Sequence, residues 1–188
     1  MSKIEDENFK GISFSSEGVE YSNYNYCTFE SCDFSGLSFT EITFLECEFN
    51  NCNFSEAKLG NTAFKDVEFK NCKLLGLQFS DCNTFLLKFS FKTCNLSFTN
   101  FYQLDLKNSK FENCNLQQSD FSSTNCESVV FKSCDLSQAS FDQTNLKMAD
   151  FRTAYNFSIN PTQNQIKGAR FSKENLEGLL ESFSLSVD

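Results

Sequence analysis

The chain has 188 residues and carries 25 acidic against 16 basic side chains, which gives a net charge of −9. This balance disfavours binding to nucleic acid or to an acidic membrane, because both need clusters of Lys and Arg. The sequence has no histidine, no P-loop, no Rossmann glycine set, no G-x-S-x-G and no Cys-x-x-Cys, so the usual bases, nucleophiles and metal ligands are missing. We therefore expect a protein that is not an enzyme and that holds no cofactor or metal.

The N-terminal residues, MSKIEDEN, have neither the basic region nor the apolar core of a secretory signal. No run of about 18 apolar residues is available for a membrane span. We expect a cytoplasmic protein whose residues 1–8 are polar and frayed. From Phe9 onward a five-residue phase begins, but Glu17 occupies an inward position, and terminal repeats are usually atypical. Residues 1–23 are therefore predicted to cap the fold.

A period of five residues then dominates the chain. It suits neither an isolated helix nor an isolated strand, whose periods are 3.6 and 2, and indicates a repeat architecture whose units bury their apolar sides by stacking. A small or modest apolar residue usually precedes each central position by two places. The central positions from Phe29 to Phe79 are Phe29, Phe34, Phe39, Phe44, Phe49, Phe54, Leu59, Phe64, Phe69, Leu74 and Phe79.

The repeated unit is a small residue, Asp or Asn, Phe or Leu and two polar residues, as in Cys32-Asp33-Phe34-Ser35-Gly36, Ser119-Asp120-Phe121 and Ala149-Asp150-Phe151. This unit resembles the pentapeptide-repeat family over roughly residues 20–155. The resemblance implies an all-β fold, a right-handed quadrilateral parallel β-helix in which four units make one square coil. Cys32, Cys52 and Cys72 lie twenty residues apart, as such a coil requires, whereas a three-sided helix of six-residue units would lose this phase.

The ten cysteines follow the same repeat. Eight occupy the inward small position, Cys82 is a candidate ninth, and Cys126 replaces a central Phe or Leu. Free cysteine packs well as a small buried apolar residue, so we interpret all ten as reduced packing residues. A metal or redox site is the weaker alternative, because zinc sites use the short spacing C-x₂₋₄-C rather than twenty residues.

The five-residue phase slips by two residues within residues 80–91, because Phe79 and Phe91 are twelve apart where ten would keep register. One interpretation is a local bulge in the coil wall. The other is a small protrusion that touches a partner through Leu86, Leu87 and Phe89. Residues 1–171 are nevertheless predicted to form one β-helix domain, since the phase resumes at Leu96 and continues to Phe171.

The C-terminal residues 172–188 are predicted to form a short α-helix, over residues 173–182 after the cap Ser172, and a terminal strand. The helix would plug the column, join two copies of the chain, or do both. Its apolar stripe and the strand supply the candidate cap and dimer residues: Leu176, Leu179, Leu180, Phe183, Leu185 and Val187.

Stacking by twenty residues places Glu46 beside Asp66 and Glu48 beside Glu68. If the slip is absorbed locally, the same face continues to the other members of a predicted acidic face. The candidate partner-binding residues are Glu46, Glu48, Asp66, Glu68, Asp105, Glu127 and Asp150. The alternative is that these carboxylates only keep the protein soluble, since lysines lie nearby.

The ending, with Pro161 in the last coil and a helix and strand after it, resembles the Qnr-type quinolone-resistance branch of the family. That resemblance implies a homodimer joined at its C-terminal ends, which mimics duplex DNA and binds DNA gyrase and topoisomerase IV. It also implies long loops that matter for quinolone protection, and this chain has only the two-residue slip. The competing hypothesis is a generic scaffold that binds another protein.

Overall fold

The fold is a parallel β-helix in which every strand pairs with the residues twenty or twenty-two positions away. The computed structural model describes residues 2–14 and 22–183. Its strands are β1 (Ser2–Glu5), β2 (Asn8–Lys10), β3 (Ser22–Asn25), β4 (Thr28–Glu30), β5 (Thr43–Leu45), β6 (Glu48–Asn50), β7 (Ala63–Lys65), β8 (Val67–Lys70), β9 (Phe89–Lys92), β10 (Lys110–Glu112) and β11 (Val130–Lys132).

Each coil has four faces, numbered here in chain order. Face 1 is the sheet β1-β3-β5-β7, and face 2 is the sheet β2-β4-β6-β8-β9-β10-β11. Faces 3 and 4 are rows of single parallel bridges, such as Asn95↔Asn115 on face 3 and Asn100↔Asp120 on face 4. The predicted quadrilateral β-helix is therefore confirmed.

The corners of the coil explain the polar residues of the repeat. The residue two places after each central Phe or Leu usually has a left-handed backbone, as at Asn51 (φ 56°) and Asn113 (φ 54°). The Asp or Asn before the central residue accepts a hydrogen bond from the backbone two residues ahead, as from Ser122 N–H to the Asp120 carboxylate at 2.8 Å. Such Asx turns close the chain locally, so the five-residue unit encodes one side of the square and its turn.

The core is a column of stacked rings inside the square. Phe111 is fully buried and lies 5.1 Å from the ring of Phe91 and 5.2 Å from that of Phe131, centroid to centroid, at interplanar angles of 15° and 12°. The rings on adjacent faces, Phe101 and Phe121, meet it edge to face. Both geometries are favourable for aromatic pairs.

The cysteines line this column, and all ten are buried and free, as predicted. Their thiols reach backbone carbonyls, for example from Cys72 Sγ to Phe49 O at 3.3 Å. Burial is the largest cause that raises the pKa of Cys47, to about 12. Cys47 is therefore held as a thiol, which favours packing over reactivity.

The N-terminus differs from the prediction that residues 1–8 are frayed. Strand β1 pairs in parallel with β3, with Ile4 opposite Tyr24, and Ile4 packs against the core. The prediction was wrong because Ile4 already holds the five-residue phase despite its polar neighbours. Val19 and Glu17 lie outside the described residues.

The phase slip is absorbed between Asn83 and Phe89. Asn83 still bridges to Ala63, and Phe89 then fills the column, 5.4 Å from the ring of Phe64. The chain between them makes a turn whose tip, Phe85 and Leu86, is exposed. The slip is thus a local bulge. Phe89, named above as a possible partner contact, is buried instead, and Leu87 is partly buried against the core.

The predicted C-terminal helix is present as two 3-10 segments, Lys173–Leu179 and Glu181–Phe183, rather than as an α-helix. Leu179 packs against the core, and Gly178 lies so close to Phe157 that an added Cβ would meet ring carbons at 2.7 Å. We attribute the tighter winding to this close approach over one short segment.

The C-terminal segment also supplies hydrogen bonds to backbone carbonyl groups of the last coil. Asn175 Nδ2 donates to the carbonyl oxygens of Ala154 at 2.8 Å and Phe151 at 3.2 Å. The segment therefore closes the column, as one of the two interpretations expected. Leu176 and Phe183 remain exposed and Leu180 is partly buried. Leu185 and Val187, and with them the predicted terminal strand, lie outside the described residues. Among the described helices, none is long or apolar enough to cross a bilayer.

Candidate interaction surface

The seven predicted acidic residues lie on faces 1 and 2. Glu48 and Glu68 are directly paired across β6 and β8, and Asp150 belongs to the same row through its bridge to Val130. Asp105 bridges to Asn125 on face 1. The residues thus share two adjacent faces but do not form one unbroken acidic strip.

Of the four predicted acidic residues in the N-terminal half of the chain, three have a lysine ammonium group within 4 Å. Lys70 Nζ lies 2.7 Å from Glu68 and 3.4 Å from Glu48, and the hydrogen bond to Glu68 is the main cause that raises the pKa of Lys70. Lys88 Nζ lies 2.8 Å from Asp66. A basic partner would therefore have to displace or share ammonium groups that are already in place.

Two of the predicted acidic residues in the C-terminal half also have their negative charge balanced by neighbouring cations. Arg152 Nη2 lies 2.6 Å from Asp150, and this hydrogen bond is the main cause that lowers the pKa of Asp150. Lys107 Nζ lies 2.8 Å from Glu127. These are surface ion pairs of modest energy, but they neutralise the charge that the sequence prediction assigned to a partner.

The unbalanced negative charge lies on the opposite side of the rod. Assigning each five-residue unit from Ser22 to Phe171 to its face gives nine acidic and eleven basic residues on faces 1 and 2, but seven acidic and two basic residues on faces 3 and 4. The acidic residues of faces 3 and 4 are Asp33, Glu41, Glu56, Asp81, Asp120, Asp135 and Asp142; the basic ones are Lys58 and Lys73.

The sequence prediction missed this side of the rod, although the same alignment by twenty residues would have found it. The predicted acidic face rests on carboxylates that stack in adjacent coils, whereas the carboxylates of this side are separated by other residues along each row. The side also carries two exposed aromatic residues in one coil, Phe98 and Tyr102. We refer to faces 3 and 4 together as the anionic side.

Comparison with known proteins agrees with this architecture. The model of the "Pentapeptide repeat region" family matches residues 22–101, 86–153 and 104–180. The chain belongs to the pentapeptide-repeat family. No curated protein sequence matches it.

Solved structures with the same fold include two of QnrB1, described as a plasmid-mediated fluoroquinolone resistance protein. The trypsin-treated form has a TM-score of 0.65 at 17% identity, and the match covers 100% of this chain and 92% of that one. The full-length form has a TM-score of 0.56 at 17% identity, over 98% and 100% of the two chains.

HetL is another structural neighbour, a pentapeptide-repeat protein of the cyanobacterium Nostoc sp. strain PCC 7120 that is involved in regulating heterocyst differentiation. Its TM-score is 0.72 at 14% identity, and the match covers 90% of this chain and 87% of HetL. At these identities the likenesses show the fold. The outward side chains of this regular wall are mostly polar; we refer to the rod as the scaffold.

Proposed function

We propose that this scaffold binds a type II DNA topoisomerase, DNA gyrase or topoisomerase IV, without binding DNA itself. The observation that carries the proposal is the charge on a rigid rod: successive coils rise by about 4.8 Å, and between Ser22 and Phe171 the anionic side holds seven carboxylates against two lysines. A rigid anionic rod suits a protein groove built for phosphates, and its rigidity keeps the ordering cost of binding small. The fold shared with QnrB1 supports the choice of partner.

A supercoiling assay with purified gyrase tests this proposal. We expect inhibition of supercoiling, or altered quinolone-stabilised cleavage, at about micromolar protein, and an effect that weakens steeply with salt because many charges are involved. No effect on either reaction would contradict the topoisomerase proposal.

The four paired acids Glu46, Glu48, Asp66 and Glu68 remain candidate contacts. Replacing them with Lys should reduce the effect on gyrase while the fold is retained. Because ammonium groups already neutralise most of them, we expect this loss to be smaller than that from equal reversals on the anionic side. A loss as large or larger would restore the predicted acidic face as the main contact.

We further propose that the protein works as a homodimer in the cytoplasm, joined through its C-terminus. The exposed Leu176 and Phe183 beside the closed end of the column support this. Deleting residues 184–188 should give a folded monomer by light scattering, since the plug around Leu179 is spared. A dimer that persists after this deletion would place the interface elsewhere.

The second candidate function is a scaffold for a different protein partner. The likeness to HetL, which has a higher TM-score than either QnrB1 structure, favours it. A folded protein that leaves both gyrase reactions unchanged would support this alternative.

A further inference from the structure

Two aromatic side chains project from the middle of the anionic side. Phe98 is 53% exposed and Tyr102 is 42% exposed. They lie in one coil, four residues apart, so their backbones are separated by no more than about 14 Å. In the described part of the chain, the aromatic contacts of this coil join inward rings such as Phe91, Phe101 and Phe111, and neither Phe98 nor Tyr102 stacks on another ring.

The positions stacked on these rings leave their faces open. In the preceding coil, Gly76 lies beside Phe98 and Ser80 lies beside Tyr102, because the bridge Gln78↔Asn100 fixes this register. Gly76 has no side chain that could cover the ring of Phe98. In the next coil the corresponding residues are Gln118 and Ser122, set by the bridge Asn100↔Asp120. Flanking side chains are thus small or flexible, and both rings stand above the wall.

The fold does not need an aromatic residue at position 98. Phe98 occupies a left-handed corner with φ 61°, a conformation that is unfavourable for a bulky residue. The same corner in other coils holds Gly36, Glu56, Gly76, Gln118 and Gln138. The left-handed backbone is shared by corners throughout the coil, so the fold accepts small and polar residues at this corner and does not account for the exposed ring of Phe98.

The surroundings of the two rings are anionic. Asp120 bridges to Asn100 between them, Asp81 ends face 4 in the preceding coil, and Asp142 lies two coils beyond Tyr102 in its own row. After Lys73, no Lys or Arg occurs on faces 3 and 4 as far as residue 163. By contrast, the exposed ring of Phe85, which lies at the tip of the bulge, already has the ammonium of Lys65 over it at 5.6 Å.

We propose that Phe98 and Tyr102 form the centre of a docking surface for a cationic segment of a protein partner, one that places an Arg or Lys side chain on the rings and its other charges on the surrounding carboxylates. Ring faces attract cations, Arg most often, and the attraction is strengthened where water is displaced. Carboxylates supply the charge-assisted hydrogen bonds that such a segment needs. This inference rests on the proposed scaffold function and names the surface and the partner chemistry.

A peptide of nine arginines is a suitable probe, since it needs no identified partner. Its affinity would be measured by calorimetry at moderate salt for the wild type, for Phe98→Ser/Tyr102→Ser, and for the control Tyr26→Ser/Met148→Ser. The control residues are 48% and 59% exposed and have left-handed backbones on the corner between faces 1 and 2. Net charge is equal in all three proteins.

We expect the Phe98/Tyr102 variant to bind the peptide about tenfold more weakly, the loss that one or two cation–π contacts represent, and the control to change by less than about twofold. Equal losses in both variants, or no loss in either, would overturn the proposal, because the peptide would then be reading net charge alone. Circular dichroism should show that both variants keep the wild-type fold.

Gyrase binding separates this inference from the proposed function. If the wild type does not bind gyrase, the topoisomerase proposal fails, while the peptide measurements still decide the docking surface. If gyrase binds the Phe98/Tyr102 variant as well as the wild type, the docking surface is overturned and the proposed function stands. If the variant instead loses self-association by light scattering, a second copy of the chain occupies the surface, and the proposal of a separate cationic partner is wrong.

Discussion

Replacing Phe111 with Ala tests the column of rings directly. The side chain is fully buried, stacks on Phe91 and Phe131 and meets Phe101 and Phe121 edge to face. Phe→Ala in a core costs about 3–5 kcal/mol through lost burial and the cavity left behind. The coil ladders hold the neighbouring rings in place, so relaxation is restricted. We therefore expect about 4 kcal/mol.

The assay is equilibrium unfolding in guanidinium, followed by circular dichroism, with the slope compared between variants to check for two-state behaviour. Phe98→Ala is the matched control, because it removes the same ring from an exposed corner, and it should change the free energy of unfolding by less than about 0.5 kcal/mol. A loss below about 1 kcal/mol for Phe111→Ala would mean that the ring column does not carry the stability assigned to it.

Three further predictions concern the thiols, the closed end and one ion pair. Titration after denaturation without reductant should count ten thiols, and a count of eight or fewer would show disulfides; in the native protein, burial should make them slow to react. Gly178→Ala should destabilise the protein by about 1–3 kcal/mol through contact with Phe157. The control Gly60→Ala should not, because its added Cβ would meet only Thr40 Oγ1 at an ordinary contact distance of 3.6 Å and Gly60 has no positive φ; equal thermal midpoints for the two variants would contradict this. Arg152→Gln should destabilise the protein at pH 7, because the ion pair with Arg152 stabilises the ionised form of Asp150 and lowers its pKa. The stabilisation by this pair is fully present above the unfolded pKa of about 3.9 and is lost as the pH falls through the folded pKa. A difference in stability between variant and wild type that persists unchanged at low pH would refute the assignment.

The fold followed from the sequence because one local unit specifies both the wall and the core. Phe34, for example, fills the column, while Asp33 beside it closes the turn by accepting from Ser35 N–H at 3.1 Å. The spacing of Cys32, Cys52 and Cys72 correctly gave the length of the coil. Because each unit carries this information locally and the unit is repeated, one sequence is enough to predict the coil.

Other features depend on contacts that the repeat does not encode. The five-residue phase located the slip, and Leu86, one of the three residues expected on a protrusion, lies at the exposed tip. Phe89 was expected there too, and only packing shows that it fills the column instead. The close approach of Gly178 to Phe157 at the closed end is likewise not encoded by the repeat. Both are tertiary effects at places where the repeat is interrupted.

The charge balance around the predicted acidic face is the feature that the sequence showed least. Glu48 and Glu68 do stack as expected, but Lys70 lies against both of them, and neighbouring carboxylates in a sequence do not show which cations will face them. Charge on a rod has to be summed by face, a sum that the alignment by twenty residues makes possible, whereas individual ion pairs need the structure.

The most direct test of the proposed function is the affinity of the wild-type protein for reconstituted DNA gyrase, measured by calorimetry without DNA across a series of salt concentrations. We predict a complex with a Kd of about micromolar or tighter at low salt, weakening steeply as salt increases. No detectable complex at low salt, or an affinity independent of salt, would contradict binding through an anionic rod.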